Sequence, residues 1–419
     1  MNGSRYALIT MMHPMTSTNA TLGTLRELNA RSVLGALVDN GRLSRAEVAR
    51  RLGMAKPTAN RAIEALAAAG LVRESSPPDS GPHYGAIYYE PALEVGHVLG
   101  IDVGAQFVRG ALGDLGGAIL ARYDHPRGGD DIPSLLTAVS AVRNRLLAPM
   151  DAGADGIVGT VVAMAGVIDP AAGRLRLSSE PSLEGHPVVE DLATVLPGPL
   201  EVDNDVNLAA LGELARGAGQ NEGDFAFLSI GTGVGSGLVL DGRLRRGARG
   251  AAGEVDYPGH RPFATHSPAA DALQQLVEDR YGAAAKNRAG SRDEAVPESP
   301  TQLFEAARAG WPLAVRVVRE EAQRIAGTIA MIALVVDVPL VVLGGGIGLN
   351  GGIMLDPIRD RLTELVPYPP RVEISRLGDA ATLVGAITVA AREAWPRTIT
   401  ARLAATSPSS SNASAQGPA

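Results

Sequence analysis

Two stretches decide the fold: HVLGIDVGAQFVRGAL, residues 97–112, and FAFLSIGTGVGSGLVLDGRL, residues 225–244. Each reads as an apolar strand, a short glycine turn and a second strand. Meeting one plan twice predicts an internal duplication, with one copy opening each of two lobes. LGDLGGAILARYD continues the first meander. Helices are expected over about 132–147, 205–216, 269–280, 302–309 and 313–335, with strands over about 157–164 and at the buried run PLVVL, which ends in Gly344-Gly345-Gly346. Strands alternating with helices make this body α/β. The mixed-charge, Gly- and Pro-containing segment Ala283 to Pro300 reads as a loop insertion.

The front of the chain follows a different rule. A helix over about 22–39 carries Leu25, Leu28, Leu34 and Leu37, read here as one apolar face, and Gly41 stops it. Ser44 and Glu47 form an S-x-x-E capping box that opens a second helix. A third runs from about Lys56 to Ala69, with Pro57 in its first turn and Ile63, Leu66 and Ala67 facing inward. Leu71–Glu74 and Ala86–Tyr89 form two strands around the loop at 75–85. This is a helix-turn-helix with a wing, whose third helix lies in a major groove while the preceding helix and wing touch phosphates. Arg45, Lys56, Thr58, Asn60 and Arg61 are the residues expected at the DNA. A small helical bundle used for protein contacts would give the same three helices.

Charge supports the DNA reading. Residues 1–75 hold ten Arg or Lys against five Asp or Glu, so the head is at +5 and the remainder at −12, within a net charge of −7. Only the head suits a polyanion. The 419 residues, 45% hydrophobic and 20% charged, allow two or three folded domains. The chain has no cysteine, which excludes a disulfide scaffold, thiolate catalysis and sulfur-ligated metal, and fits a reducing cytoplasm. The apolar run Ile329–Val336 falls well short of the ~20 residues a membrane span needs, and the start lacks the features of a secretory signal. Residues 1–20 are expected to form a flexible arm, 21–92 the DNA-binding domain, 96–397 the two-lobed domain, and 398–419 a disordered tail, rich in Ser, Ala and Pro from Ala405 onward.

Chemistry concentrates at the strand ends. In Gly231-Thr232-Gly233-Val234-Gly235-Ser236-Gly237 the absent Cβ atoms would let backbone amides close round a phosphate, although close packing of a tight turn would use the same glycines. The motif is neither G-x-G-x-x-G nor a P-loop. Asp102-Val103-Gly104 ends the first strand, where a carboxylate could hold a metal–phosphate group or a hydroxyl, and Gly344 and Gly345 would admit a nucleoside to the backbone. Asp203-Asn204-Asp205-Val206-Asn207 opens like a calcium loop, but Leu208 and Leu214 fall where such a loop needs glycine and a bidentate acid. Asp205 is either a hydroxyl acceptor or a plain helix cap. Glu254 offers a second carboxylate to a polyol, and the seven histidines, including His260 and His266, show no metal-binding spacing.

In this order the motifs resemble the ROK family of bacterial repressors and sugar kinases over roughly residues 22–395. In the head, GRLSRAEVARRLGM and TANRAIEALAAAGLVRE are similar to the repressor branch. In the body, GIDVGAQFVRGAL resembles the first phosphate motif, EVDNDVNLAALGE the segment holding the kinase base, FLSIGTGVGSGLVLDGRLRRGARGAAGE the second phosphate motif through the sugar-contacting glutamate, and VVLGGGI the adenosine motif. The resemblance implies an actin-like ATPase (ribonuclease H-like) fold of two lobes behind the winged head. Departures carry information too. Glu254-Val255-Asp256-Tyr257 lacks the family's histidine, PGHRPFATHSP replaces its cysteine-rich zinc loop, Ser182-Leu183-Glu184-Gly185 replaces its Asn-Leu and Trp sugar loop, and Ala105 replaces a glycine.

The resulting expectation is a ligand-controlled repressor, homodimeric, cytoplasmic, and acting on a roughly palindromic duplex, without a cofactor, metal or membrane. The effector, a sugar or sugar derivative, is placed at Ser182, Asn204, Asp205, Glu254 and Tyr257. Residual phosphate loops are Asp102, Gly104, Gly231, Thr232, Gly233, Gly235, Gly344 and Gly345. The rival is a carbohydrate kinase with Asp205 as base.

Overall fold

The computed structural model describes residues 22–77, 85–150, 153–169, 172–178, 180–256, 267–287 and 295–406. In the head, helix α1 (Leu22–Asn40) leads through strand β1 (Leu43–Ser44) to α2 (Arg45–Leu52) and α3 (Lys56–Ala68), and β2 (Val72–Ser75) and β3 (Tyr88–Pro91) make the base of the wing. The Ser44 capping box forms: the Ser44 amide donates to Glu47 Oε2 at 2.8 Å and the Glu47 amide to Ser44 Oγ at 3.3 Å. Gly53 ends α2 at φ 61°, a backbone state that a side chain resists.

The inward face of α1 differs from the expected one. Leu34 and Leu37 are buried with Ala30 and Val33, but Leu25 and Leu28 are 46% and 39% exposed. Nine residues at about 100° each are two and a half turns, so Leu25 and Leu34 lie on opposite faces. Ala67 is likewise exposed; Ala59, Ala62, Ile63 and Leu66 make the inward face of α3.

The duplication is visible in strand order. In the first lobe β4 (His97–Val103), β5 (Phe107–Asp114) and β6 (Ile119–Pro126) form an antiparallel meander, and β7 (Ile157–Met164) runs parallel to β4. A small β8 (Val167–Ile168) and β9 (Leu175–Arg176) pair separates it from β10 (Leu200–Asn204), which adds to β7 in parallel. The sheet reads β10-β7-β4-β5-β6. The second lobe repeats it with β11 (Phe225–Ile230), β12 (Val234–Leu240), β13 (Arg243–Leu244), β14 (Leu340–Gly344) and β15 (Arg371–Ile374), in the order β15-β14-β11-β12-β13.

Helices α4 (Ile132–Leu147), α5 (Val188–Ala193) and α6 (Asp205–Arg216) belong to the first half of the body. Helices α7 (Ala270–Asn287), α8 (Pro300–Arg308), α9 (Pro312–Val336), α10 (Gly345–Gly348) and α11 (Leu355–Leu365) belong to the second. The final helix α12 (Ala381–Thr406) returns across the sheet of the first lobe. It packs backbone to backbone on α6: a Cβ on Gly385 would lie 1.8 Å from the Leu208 carbonyl oxygen, and one on Gly212 would lie 2.2 Å from that of Ala381.

Two boundaries are corrected. Residues 283–287, expected as loop, continue α7, and residues 398–406, expected as disordered tail, continue α12. Thr398 and Ile399 are buried and Leu403 packs on the core, so apolar contact, not the Ser- and Pro-rich composition nearby, governs this stretch. The expected arm, the rest of the tail and the wing tip lie outside the described residues. Among the described residues, no helix is long and apolar enough to cross a membrane.

Candidate functional site

The head exposes the start of α3. Lys56 and Arg61 are exposed, and Thr58 and Asn60 are half-buried on the same first turns. Arg45 is used otherwise. Its Nε and Nη2 donate to Tyr89 Oη at 3.0 and 2.8 Å, its guanidinium lies 5.3 Å from the Tyr89 ring centroid, and Nη1 is 3.3 Å from Glu64. It braces α2 against the wing strand and α3.

In the body, β10 runs straight into α6, so Asn204 and Asp205 sit at a strand end and a helix start together. Asn204 is the cap: its Oδ1 accepts the Val206 and Asn207 amides at 2.9 and 3.0 Å, while its Nδ2 donates to the Gly166 carbonyl at 2.9 Å. Asp205, one residue further, is therefore released from capping. Its Oδ1 accepts the adjacent Val206 amide at 2.9 Å. Burial, the nearby Asp102 carboxylate and then Glu254 push the Asp205 carboxyl up to about 7. Burial also raises Asp102, against the pull of Arg109, and raises Glu254. Asp102 and Glu254, from two distant sequence motifs, thus lie near enough to Asp205 to act on its carboxyl.

Glu254 is held there by its neighbour. Gly253, at φ 94°, accepts the Ser236 amide of β12 at 2.9 Å, and a Cβ at this position would fall 1.7 Å from the Ser236 carbonyl oxygen. Only glycine allows that approach. Arg246, from the Arg-rich turn, pairs with Asp203 at 2.6 Å and fixes this turn to the end of β10. Sequence reasoning missed both Arg246 and Arg109, although the run of arginines between 243 and 249 was a signal.

The glycines divide into two groups. Gly233 has open space where a side chain would be, and a Cβ on Gly231 would lie 3.7 Å from the Gly346 amide nitrogen, so the second and third glycine turns converge with the exposed Thr232 between Gly231 and Gly233. Gly345, at φ 75°, lies against the Ile230 backbone, and Gly344 against the Phe227 ring. Gly235, expected at a phosphate, instead faces Val206, which a Cβ there would approach to 3.2 Å, and lets β12 pack on α6. Gly104 donates to the Phe107 carbonyl at 3.0 Å in the first turn.

Ser182 is exposed and its hydroxyl donates to the Asp130 carbonyl at 2.6 Å, spent on a neighbouring loop rather than on Asn204, Asp205 or Glu254. Tyr257, His260 and His266 lie outside the described residues. Among the described residues no group of three or more His, Asp or Glu side chains is placed to hold a metal. In the second lobe Gly233 and Gly346 leave open space for a phosphate group, whereas in the first the Arg109 guanidinium fills the space beside Gly104 and pairs with Asp102.

Comparison with known proteins divides the chain in the same way. The family model described as "ROK family" matches residues 98–393, and one described as "MarR family" matches 27–80. A xylose repressor from Caldicellulosiruptor bescii is 23% identical over 87% of this chain and 96% of its own. A glucokinase from Streptomyces coelicolor is 26% identical over 71% of this chain and 98% of its own. Among solved structures, a ROK family transcriptional regulator described as a homolog of the E. coli MLC protein superposes with a TM-score of 0.73 at 20% identity, covering 90% of this chain and 99% of that one. A Streptomyces griseus ROK glucokinase, in complex with glucose and AMPPNP, gives 0.61 at 26% identity over 70% and 99%.

Proposed function

The chain belongs to the ROK family, and from that premise we propose that it is a DNA-binding transcriptional repressor whose grip on its operator is set by a sugar or sugar derivative in the cleft. The observation that carries this reading is the joining of a MarR-type helix-turn-helix to the ROK body in one chain, matched along nearly its whole length by a xylose repressor. The glucokinase relative covers 71% of this chain, against 87% for the xylose repressor.

The protein acts in the cytoplasm as a homodimer, its two α3 helices entering successive major grooves of a near-palindromic site. Lys56, Thr58, Asn60 and Arg61 meet the DNA, with Arg45 holding the frame behind them. In the cleft, Asp102, Asp205 and Glu254 bind ligand hydroxyls. Protonated Asp205 donates and ionised carboxylates accept, a pairing suited to a polyol. The ligand acts only through a difference in its affinity for two lobe closures, which set two spacings of the heads. Binding of the full-length protein to fragments of its own genome tests this: enriched fragments sharing a two-fold motif support it, and uniform recovery overturns it.

One observation favours a second reading. A buried carboxyl near 7 beside a capped helix start is the state a general base needs, and Asp205 has it. Sugar phosphorylation from ATP by the wild-type protein, abolished in Asp205→Asn, would replace the repressor reading with a kinase.

A further inference from the structure

Three strands of the first lobe carry one charge each at the same height. The register sets Asp102 of β4 opposite Arg109 of β5, and Arg109 opposite Asp124 of β6, so the three side chains stand in a row on one face of the sheet. It is the face that α12 covers, since Gly100, two residues before Asp102, packs on Ala386 and Ile387. Arg109 Nη1 donates to Asp102 Oδ2 at 3.3 Å, and Nε is 3.8 Å from Asp124 Oδ2. The same Nη1 lies 3.2 Å from the point where a Cβ on Gly104 would sit, and the guanidinium carbon is 5.9 Å from the Phe107 ring centroid. The arginine is folded back over the first glycine turn.

The second lobe has no counterpart to this lid among the described residues. Gly233 and Gly346 open on free space. One half of a nucleotide cradle is therefore clear, and the other is covered by a guanidinium paired with Asp102, while Arg122 holds Asp124 through two bonds of 2.9 Å.

We propose that Arg109 is a specificity-determining residue of the cleft, shutting the first glycine turn against a metal–nucleotide and reserving the site for an uncharged, hydroxyl-rich ligand. This rests on the function proposed above. A divalent cation arriving with a triphosphate would need Asp102, whose Oδ2 already accepts from Arg109, and would sit beside a guanidinium of like charge.

Calorimetric titration of the full-length protein with AMP-PNP and Mg2+ tests the assignment on wild type, Arg109→Ala, Arg109→Gln and Arg109→Lys. The expected result is no measurable binding to wild type or Arg109→Lys, and at least a tenfold gain in affinity in whichever of the Ala and Gln variants keeps the wild-type circular dichroism. Folded Ala and Gln variants that bind no better than wild type overturn the assignment while leaving the repressor reading intact. Wild type that binds the nucleotide as tightly as the variants overturns it as well. Wild type that, given ATP in place of AMP-PNP, phosphorylates a sugar removes the repressor reading itself, so the two failures are distinguishable.

Discussion

At the scale of single residues, burial decides the chemistry. Asp205 is held neutral up to about 7 in the fold, against an ordinary value of 3.8. The folded state keeps a proton that the unfolded chain releases, so this group's contribution to stability falls as pH rises from about 4 to about 7 and is level above that. Asp205→Asn should flatten that part of the profile and raise stability at pH 8 by up to about 4 kcal/mol, read from urea midpoints across pH. Glu321 of α9, fully buried with neither oxygen hydrogen-bonded and Arg324 3.6 Å from Oε2, is pushed up to about 8 by burial and acts with the same sign over about pH 4.5 to 8. Gly253→Ala should cost at least about 1–3 kcal/mol in the same measurement, because the backbone of β12 blocks a side chain there. Asp205 and Glu254 were legible in sequence because their motifs come in a fixed order. Arg109 was not, since its pairing with Asp102 exists only once the hairpin register is set. Ser182 was placed by alignment to a loop whose own hydrogen bonds turn its hydroxyl elsewhere.

At the scale of elements, α12 is the member that joins head, sheet and cleft. Its first turn follows Asp379, which pairs with Arg122 of β6 at 2.7 Å and is kept well ionised by it. Its middle locks on α6 through Gly385 and on the turn after β5, where Trp395 Nε1 donates to the Leu115 carbonyl at 2.8 Å. Its last turns meet the head: Thr400 donates to Glu27 Oε1 at 2.5 Å, and Arg31 donates to Thr400 at 2.8 Å. The helix that begins at Asp205 thus packs on the helix that ends at the DNA-binding head. Gly385→Ala should destabilise the whole protein, lowering its melting temperature by several degrees, because the clash is with helix backbone that has nowhere to yield. Arg45→Ala should lower the melting temperature too, by freeing Tyr89 and Glu64, whereas Lys56→Ala should leave it unchanged. The reach of α12 was hidden because composition averages over a window: Ala and Thr dominate residues 398–406, and the periodic burial of Ile399 and Leu403 is too short to stand out. The misjudged face of α1 has a simpler cause. Four leucines were grouped by type, when their spacing of nine residues divides them.

At the scale of the whole molecule, a head at +5 rides on a body at −12. The body repels the duplex that the head attracts, which favours a mode in which only α3 and the wing approach phosphate. Affinity for DNA should fall steeply with salt, and Lys56→Ala should lower the slope of log affinity against log salt by about 1 if that lysine meets a phosphate. The two-lobed plan was readable from its repeated hairpin, and the strand orders of the two sheets bear that out. The most direct test is fluorescence anisotropy of the full-length protein on its own enriched operator duplex, titrated with a panel of monosaccharides and their derivatives in the absence of ATP. The account predicts tight, sequence-selective binding that one of these ligands changes by about five- to 150-fold, the span of ordinary allosteric coupling. Binding no better than to a scrambled duplex, or operator binding indifferent to every ligand, would contradict it.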